Sequence, residues 1–165
     1  MNDIIIRNAE SRDLPYIREI MNDAILHSTA IYDYNERDET YVQNWFNQMQ
    51  QNNMPVIICE SNGTCIAYGC YAQFRPKDGY RFCVEHSIYV HKNFRGKGCG
   101  ARLLEELILI AKSQNIHTMI AGIDAENRLS IDFHKKYGFE QTGYLKEVGY
   151  KFGRWLDLVF MEKIL

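Results

Sequence analysis

The sequence predicts a mixed α/β fold in which helices cover the faces of a central sheet. The chain has 165 residues, a length that fits one domain spanning 1–165. Hydrophobic residues make up 46% of it and charged residues 24%, as in ordinary globular proteins. Segments with strand and helix periodicity follow one another in the order β-α-α-β-β-β-α-β-α-β-β, without a repeat or a linker.

The first half of the chain contains signals for four strands and two helices. Ser11 or Asp13 can cap the first helix, in which apolar residues recur at helical spacing. Asn62 and Gly63 tolerate positive φ and therefore predict a hairpin turn between two strands. The predicted elements are a strand at 4–7, helices at 11–26 and 39–51, hairpin strands at 56–60 and 65–74, and a strand at 81–91.

The second half of the chain contains two helices and three further strands. Leucines and isoleucines form a broad apolar stripe along the first of these helices. Asn127 can cap the second helix, and Gly138 suits the left-handed position after its end. The predicted elements are a helix at 98–115, a strand at 118–123, a helix at 127–137, and strands at 140–150 and 155–163.

The charge pattern argues against nucleic acid and membranes as partners. The chain has 21 acidic and 19 basic residues, a formal net charge of −2, and the basic residues are scattered. No apolar run approaches the roughly 20 residues that span a bilayer, and the first residues lack the pattern of a signal peptide. We therefore expect a soluble, cytoplasmic protein.

The five cysteines favour reduced thiols over disulfides or a metal site. Their number is odd, no Cys-x-x-Cys pair occurs, and no histidine stands at zinc-finger spacing. Cys59, Cys65, Cys70 and Cys83 lie in predicted strands, where a free cysteine usually serves as a small core residue. No metal is expected.

The turn Arg95-Gly96-Lys97-Gly98-Cys99-Gly100 is the sharpest chemical feature of the sequence. It joins a predicted strand to a helix, where glycines allow a ligand close to the backbone and unpaired N–H groups attract an anion such as pyrophosphate. One alternative is a glycine-rich turn without a ligand. Another is a dinucleotide site in which Asp124 binds a ribose. A Walker loop does not fit, because Gly98 is followed by Cys99 and not by a lysine.

The same turn satisfies the Arg/Gln-x-x-Gly-x-Gly/Ala motif of the GCN5-related N-acetyltransferases, and the whole chain resembles that superfamily. Within it, the chain is similar to the phosphinothricin and methionine sulfoximine acetyltransferases. Three stretches carry this closer resemblance: Arg75-Pro76 with Val84-Glu85-His86-Ser87-Ile88-Tyr89-Val90, Asn127 with His134 and Gly138-Phe139, and Val148-Gly149-Tyr150-Lys151-Phe152-Gly153-Arg154-Trp155-Leu156-Asp157.

The resemblance implies a twisted, mostly antiparallel sheet of about seven strands, splayed in the middle, with about four helices on its faces. It also implies acetyl-CoA as co-substrate, lying in the gap between two parallel strands. The residues expected to bind it are Ile88, Tyr89 and Val90 through their backbone, the turn residues Arg95, Gly96, Lys97, Gly98, Cys99, Gly100 and Ala101, and Asn127.

Glu85 is the expected general base. An ammonium group must lose its proton before its nitrogen can attack a thioester, and Glu85 occupies the position of the subfamily's carboxylate. Strand alternation places Glu85 and Tyr89 on one face and His86 on the other. A backbone N–H near Tyr89 or Val90 is the expected donor to the developing oxyanion. The alternatives for Glu85 are a surface carboxylate or a structural pair with Arg75.

His134 is the second expected catalytic residue. It stands where many relatives carry a tyrosine, and the resemblance implies that it protonates or stabilises the departing thiolate. Asn127, Ile131 and His134 share one helix face, which is expected to bring His134 towards the reacting centre. A structural role for His134 is the alternative. His86 is assigned no role, because it lies on the wrong face of its strand.

The resemblance implies a small amino acid or amine as acceptor, acetylated on its α-amino group by direct transfer in a ternary complex. Arg75, with Arg81 second, is expected to bind the anionic groups of the acceptor beside Glu85. Tyr32 and Phe74 are expected to shape the pocket, or else to serve as packing. A homodimer is expected by analogy. The alternatives are a peptide or protein N-terminal acetyltransferase and a non-catalytic acyl-CoA-binding module.

Overall fold

The computed structural model describes residues 4–165, which form seven strands and four α-helices in the predicted order. The strands are β1 (Ile4–Asn8), β2 (Val56–Ser61), β3 (Thr64–Gln73), β4 (Cys83–Val90), β5 (Thr118–Asp124), β6 (Glu140–Lys151) and β7 (Arg154–Ile164). The helices are α1 (Leu14–His27), α2 (Glu39–Gln51), α3 (Cys99–Ser113) and α4 (Arg128–Lys136). None of these helices is long and apolar enough to cross a membrane.

The seven strands belong to one sheet, whose order is β1-β2-β3-β4-β5-β7-β6. Neighbouring strands are antiparallel except for β4 and β5, which run parallel. β4 and β5 pair only between residues 83–85 and residues 118–120. Beyond this short ladder the two strands separate. The predicted sheet, mixed, mostly antiparallel and splayed in the middle, is therefore confirmed.

Two apolar clusters attach the helices to opposite faces of the sheet. The cluster under α3 and α4 includes Val84, Leu103, Leu107 and Ile131. The cluster under α1 and α2 includes Ile17, Phe46, Ile58 and Tyr68. Burying each large apolar side chain contributes roughly 1.5–3 kcal/mol relative to its exposure. Because neighbouring strand residues point to opposite faces, Val84 on the α3 face leaves Glu85 on the α1 face.

The turns and caps follow the local signals of the sequence. Asn62 and Gly63 both have positive φ, 51° and 76°, as the hairpin turn requires. Gly138 has φ of 79° just after α4, where only glycine is unstrained. The Asn127 side chain accepts a hydrogen bond from the N–H of Ser130 at 3.1 Å and so caps α4. These three predictions are confirmed.

The first helix begins at Leu14, later than the predicted Ser11. Ser11–Asp13 instead form a short 3-10 turn ahead of α1. The Asp13 carboxylate accepts hydrogen bonds from the Glu10 N–H at 2.8 Å and from Arg7 at 2.7 and 2.9 Å. This network fixes the entry to the helix one turn later than the apolar spacing indicated.

The five cysteines are free thiols. Cys59, Cys65, Cys70 and Cys99 are buried, and Cys83 is half-buried. Burial raises the pKa of Cys59, Cys65 and Cys70 to about 12, so these thiols stay protonated at neutral pH. Cys59, Cys65 and Cys70 therefore act as small core residues, as predicted, whereas Cys83 is only half-buried and belongs to neither cluster of described residues.

Candidate active site

Beyond the short β4–β5 ladder, one edge of β4 has no partner strand within residues 4–165. The opposite edge is fully paired with β3. Flanking hydrogen bonds run from the Phe74 N–H to the Cys83 carbonyl at 3.0 Å and from the His91 N–H to the Ile66 carbonyl at 2.9 Å. Odd-numbered residues of β4 therefore direct their backbone groups towards β3, and even-numbered residues direct theirs into the gap.

This alternation divides the three β4 residues that were predicted to bind the acyl donor through their backbone into two that face the gap and one that faces β3. Ile88 and Val90 direct their N–H and C=O groups into the gap, where a ligand can replace the missing strand. Tyr89 directs its backbone to β3, and its ring packs 5.3 Å from the ring of Tyr68. This corrects the prediction that the Tyr89 N–H is free to bind a ligand. Of the two predicted oxyanion donors, only Val90 has its N–H in the gap.

The glycine turn forms an open cradle at the start of α3. Gly96 and Gly98 have φ of 75° and 83°, and a Cβ added at either position would meet nothing within 4 Å. The first helical bond runs from Arg102 N–H to the Gly98 carbonyl, which leaves the N–H groups of residues 99–101 without a helical partner. The Cys99 thiol is buried against Cys59, so only the backbone of Cys99 can bind a ligand. The turn thus presents an anion-binding surface.

Two cations stand beside this cradle. The Arg95 side chain is 61% exposed, with one guanidinium nitrogen 3.5 Å from Asp23 and Nε 3.4 Å from the Val90 carbonyl. Lys97 Nζ lies 4.7 Å from the ring centre of Phe94. Both contacts are long and near solvent, so neither holds its cation strongly. Both side chains are therefore available to a phosphate.

Glu85 lies where the β4–β5 ladder ends. It is half-buried, and its carboxylate forms no hydrogen bond or ion pair with any residue in 4–165. Burial raises the pKa of Glu85, and the positive charge of Arg75 opposes this by a smaller amount. A Cβ added to Gly122 on β5 would lie 2.7 Å from Glu85 Oε1. Gly122 therefore makes room for the carboxylate, a role that sequence reasoning missed although a strand glycine can mark such a close approach.

An aromatic wall lies next to this carboxylate. Phe74 packs edge-on against Phe160, with ring centroids 5.9 Å apart. Phe160 in turn pairs with Gly122 across the β5–β7 ladder, and its ring lies 3.8 Å from the position of an added Cβ at Gly122. The structure thus brings Phe74 to the side of the sheet that carries Glu85.

The two predicted anion-binding arginines are both exposed. The guanidinium of Arg75 lies 5.0 Å from the Phe74 ring centre, and that of Arg81 lies 4.7 Å from the Phe82 ring centre. Arg75 lies close enough to Glu85 to lower its pKa, but the two form no ion pair within residues 4–165. The guanidinium of Arg75 is therefore free to bind an acceptor.

Tyr32 lies half-buried over the same face of the sheet. Burial, with the charges of Asp124 and Asp157, raises its pKa to about 12. Asp124 follows Gly122 by two residues on β5, so both point to the face that carries Glu85. The Tyr32 hydroxyl donates a hydrogen bond to the Asp157 carbonyl at 3.5 Å, and that carbonyl also accepts the Ala125 N–H just after β5, so Tyr32 lies at the end of β5 that borders the open region.

His134 contacts His86, and not Glu85. Its Nδ1 lies 2.7 Å from the Ser130 carbonyl, and its Nε2 lies 3.2 Å from Nε2 of His86. The bond to the carbonyl requires the proton on Nδ1, so Nε2 of His134 accepts a hydrogen bond from His86. Burial lowers the pKa of His134, and lowers that of His86 to about 3 with a smaller contribution from His134. Both imidazoles are therefore neutral at pH 7.

This pair lies on the α3 face of β4, and the Glu85 carboxylate lies on the α1 face. The structure therefore does not bring the two predicted catalytic side chains together. The face predicted for His86 is confirmed, but its contact with His134 was missed, because no local pattern links the two residues. Nδ1 of His86 is buried without a hydrogen-bond partner among the described residues.

The sequence matches the acetyltransferase (GNAT) domain family over residues 6–160. An L-methionine sulfoximine/L-methionine sulfone acetyltransferase of Pseudomonas aeruginosa is 42% identical over 158 residues, covering 95% of this chain and 92% of the relative. A ribosomal-protein-alanine N-acetyltransferase from Brucella melitensis has a crystal structure with a TM-score of 0.96 and 44% identity, covering 98% of this chain and 99% of that one. A GNAT superfamily phosphinothricin acetyltransferase from Sinorhizobium meliloti, solved in complex with acetyl-CoA, has a TM-score of 0.95 and 36% identity, covering 98% and 88%.

This chain therefore belongs to the GNAT family of N-acetyltransferases. The residues described above fit the family's acyl donor, because the open glycine cradle, the unpaired N–H groups of α3 and the free edge of β4 match the chemistry of a pyrophosphate followed by amides. Within residues 4–165, no group of three or more His, Cys, Asp or Glu side chains is placed to hold a metal ion.

Proposed function

We propose that this protein transfers the acetyl group of acetyl-CoA directly to the α-amino group of a small free amino acid, of the phosphinothricin or methionine sulfoximine type, in a ternary complex. One observation carries the proposal. The half-buried carboxylate of Glu85, which has no hydrogen-bond or ion-pair partner within residues 4–165, lies where β4 and β5 separate, beside the aromatic wall of Phe74 and Phe160. A base in that position serves an amine that enters from the α1 face.

The acyl donor supplies an acetyl thioester, whose carbonyl carbon accepts the amine lone pair while the thiolate leaves. The N–H groups of residues 99–101, with Arg95 and Lys97, are proposed to bind its pyrophosphate. The backbone of Ile88 and Val90 is proposed to pair with its amide groups, and the Val90 N–H to stabilise negative charge on the acyl oxygen. The amide nitrogen of Asn127, whose oxygen caps α4, is proposed as a further donor.

Glu85 is proposed to accept the proton of the acceptor's ammonium group, directly or through water. Its raised pKa brings the carboxylate closer to the pKa of the amine, which favours proton transfer in the transition state. The proton then passes from the protonated carboxyl group to water. After the attack the nitrogen carries one further proton, which passes through water to the departing thiolate, so that the ammonium and the thioester give the amide, the coenzyme A thiol and one proton in solution.

We propose His134 as a positioning residue. An acid needs a proton directed at the leaving group, but the Nδ1 proton of His134 is bonded to Ser130 and its Nε2 faces His86. Through His86, the pair supports the part of β4 that borders the gap.

The acceptor class rests on Arg75 and on the relatives. A guanidinium binds a carboxylate or phosphinate through two parallel hydrogen bonds. Arg75 is close enough to Glu85 to lower its pKa, and its guanidinium forms no ion pair within residues 4–165. Two of the relatives are named for methionine sulfoximine and phosphinothricin. The relative named for ribosomal-protein alanine supports a second candidate, the N-terminal amine of a protein. Thiol release with free methionine sulfoximine and with a short alanine-initiated peptide separates the two.

The replacement Glu85→Gln tests the proposed base. We expect kcat to fall by about 10²–10⁴-fold at pH 7.5, while coenzyme A affinity stays within about twofold. Wild-type activity should fall as the pH drops through the raised pKa of Glu85, because a protonated carboxyl group cannot accept a proton. The pH–rate profile of the variant should lack this decrease at acidic pH (the acidic limb). Glu140→Gln, at an exposed position of β6, serves as the control. A Glu85→Gln enzyme with the wild-type pH profile would remove Glu85 from the mechanism.

We also propose that the protein is a cytoplasmic homodimer. Tyr150, Phe152 and Trp155 on the β6–β7 hairpin are 47%, 57% and 61% exposed, more apolar surface than isolated residues leave. A second copy is the proposed cover. Sedimentation equilibrium should give about twice the mass of one chain, and a mass of one chain would contradict the proposal.

A further inference from the structure

The loop between α1 and α2, residues 28–38, is tied to the end of β6 by a buried lysine. Lys151 is 2% exposed, and its Nζ donates hydrogen bonds to the carbonyls of Ile25 at 2.6 Å, Ser28 at 2.8 Å and Ile31 at 2.5 Å. An ammonium group has three donors, and all three are used here. Two of the acceptors lie at the C-terminal end of α1, where carbonyls lack helical partners and the helix dipole is negative.

The charge of Lys151 is thus balanced by backbone dipoles. Burial lowers the pKa of Lys151, and the charge of Asp33 in the same loop partly offsets this. No substrate-directed donor remains on the ammonium group. Any effect of Lys151 on the site must therefore act through the loop that it holds.

The residue after the last of these carbonyls is Tyr32, and its ring rests on Gly149 of β6. A Cβ added to Gly149 would lie 2.5 Å from Cε2 of the Tyr32 ring. Gly149 and Lys151 are two residues apart on the strand and so point to the same face. Between them, the carbonyl of Tyr150 accepts a hydrogen bond from the hydroxyl of Tyr34. Three successive residues of β6 therefore hold the loop around Tyr32.

The Gly149 contact depends on an irregularity in β6. The β6–β7 ladder shifts register between Leu145 and Gly149, which pair with Leu158 and Leu156. Asp157, opposite the bulged residues, accepts a hydrogen bond from the Glu147 N–H at 2.8 Å. The bulge thus has a defined shape, and it brings a glycine under the Tyr32 ring.

Tyr32 and Glu85 border the same part of the gap. The Glu85 carboxylate lies against Gly122, and Asp124, whose charge acts on Tyr32, follows two residues later on the same face of β5. A strand rises about 3.3 Å per residue, so Gly122 and Asp124 are roughly 7 Å apart along β5. The Tyr32 hydroxyl donates a hydrogen bond to the Asp157 carbonyl at 3.5 Å, and the same carbonyl accepts the Ala125 N–H just after β5. Tyr32 and Glu85 therefore both lie along the part of β5 that borders the gap.

We propose that Lys151 is a positioning residue for acceptor recognition: by bonding the backbone of residues 25–31, it fixes the Tyr32 ring as one wall of the acceptor pocket. This inference rests on the proposed function, because it concerns the amine-binding side of that site. Lys151 makes no contact of its own with the substrates. Because Lys151 bonds only to this loop and the end of α1, we expect its loss to change the KM of the acceptor and not the KM of the acyl donor.

The test is Lys151→Met, which keeps an unbranched side chain only one atom shorter and removes the three donors. We expect KM for methionine sulfoximine to rise at least tenfold, while KM for acetyl-CoA stays within twofold. Hydrogen exchange should accelerate in residues 28–38 and remain unchanged in α3 and β5. Lys163→Met, on β7 at the end of the sheet away from the gap, is the matched control and should leave all three readouts at their wild-type values.

A second variant guards against general destabilisation. Gly149→Ala displaces the Tyr32 ring without touching Lys151 and should raise the same KM. Combining Lys151→Met with Tyr32→Ala should give no larger KM than Tyr32→Ala alone, since both act through one ring. An equal change in both KM values, an unchanged acceptor KM, or multiplied effects in the double variant would each overturn the role of Lys151. If the wild-type protein acetylates no free amino acid, the proposed function itself is overturned.

Discussion

Replacing Gly122 by alanine tests the position of the Glu85 carboxylate without altering its chemistry. A Cβ at this position would lie 2.7 Å from Glu85 Oε1. Restoring a contact of 3.0–3.4 Å requires a shift of 0.3–0.7 Å, the difference between these distances. The other neighbours, Leu158 and Phe160, stand at 3.8 Å and need not move. The carboxylate is the end of a flexible side chain, so it is the group that moves.

The expected effect is on turnover and not on folding. A misplacement of about 1 Å can lower a rate by about 10²-fold. If the free-energy cost is proportional to the displacement, a shift of 0.3–0.7 Å lowers kcat by about 4-fold to 25-fold. The free energy of unfolding should stay within about 1 kcal/mol of wild type, because the strand position has no positive φ and the clash falls on a mobile group. Coenzyme A affinity should be unchanged.

The assay is thiol release at saturating acetyl-CoA and methionine sulfoximine, measured across pH, with denaturant unfolding alongside. Gly143→Ala is the control, since its Cβ would approach the β7 residue Phe160 no closer than 3.4 Å. A Gly122→Ala enzyme with wild-type kcat and an unchanged acidic limb would refute the placement of Glu85 in the proton path. A parallel loss of coenzyme A binding would show that the substitution damages the fold at large.

Two further predictions concern the histidine pair and the glycine cradle. The pKa of His86 is about 3 in the folded chain and near 6.5 in the unfolded chain, so the unfolded chain binds a proton first as the pH falls. The contribution of His86 to the free energy of unfolding is therefore complete above pH 6.5 and decreases as the pH falls from 6.5 towards 3. At pH 5 the decrease is about 2 kcal/mol. Unfolding of His86→Leu at pH 7.5 and pH 5.0 should show a smaller pH dependence than wild type, and an equal dependence would contradict the burial of a neutral His86. Gly98→Ala, at φ of 83°, should raise KM for acetyl-CoA about tenfold with little change in kcat, whereas Gly63→Ala, at φ of 76° in the β2–β3 hairpin, should cost similar stability and leave KM unchanged. Equal KM values for the two variants would show that the cradle does not bind the acyl donor.

The order of the elements and the glycine turn could be predicted because both are written in short stretches of sequence. Periodicity distinguishes α3 from β5, and Gly96 and Gly98 stand where a strand passes into a helix. The splayed ladder was predicted from the family resemblance and not from periodicity, since no local pattern shows where two distant strands part.

The remaining features depend on residues that meet only after folding. Gly122 and Gly149 are ordinary strand glycines until Glu85 and Tyr32 lie against them. His86 and His134 stand 48 residues apart, and strand alternation gives the face of His86 but not its partner. Lys151 lies within the stretch that carried the closer resemblance, yet its three carbonyl partners belong to the end of α1 and the loop after it, near the other end of the chain. Tertiary contacts decide such roles, and no window of sequence contains them.

Calorimetric titration of the wild-type protein with coenzyme A addresses the central claim, that the turn at 95–100 and the free edge of β4 hold the acyl donor. The predicted result is one molecule bound per chain, with the affinity weakened about tenfold or more in Gly98→Ala and unchanged in Gly63→Ala. Absence of binding to the wild-type protein, or equal affinity for wild type and Gly98→Ala, would contradict the account.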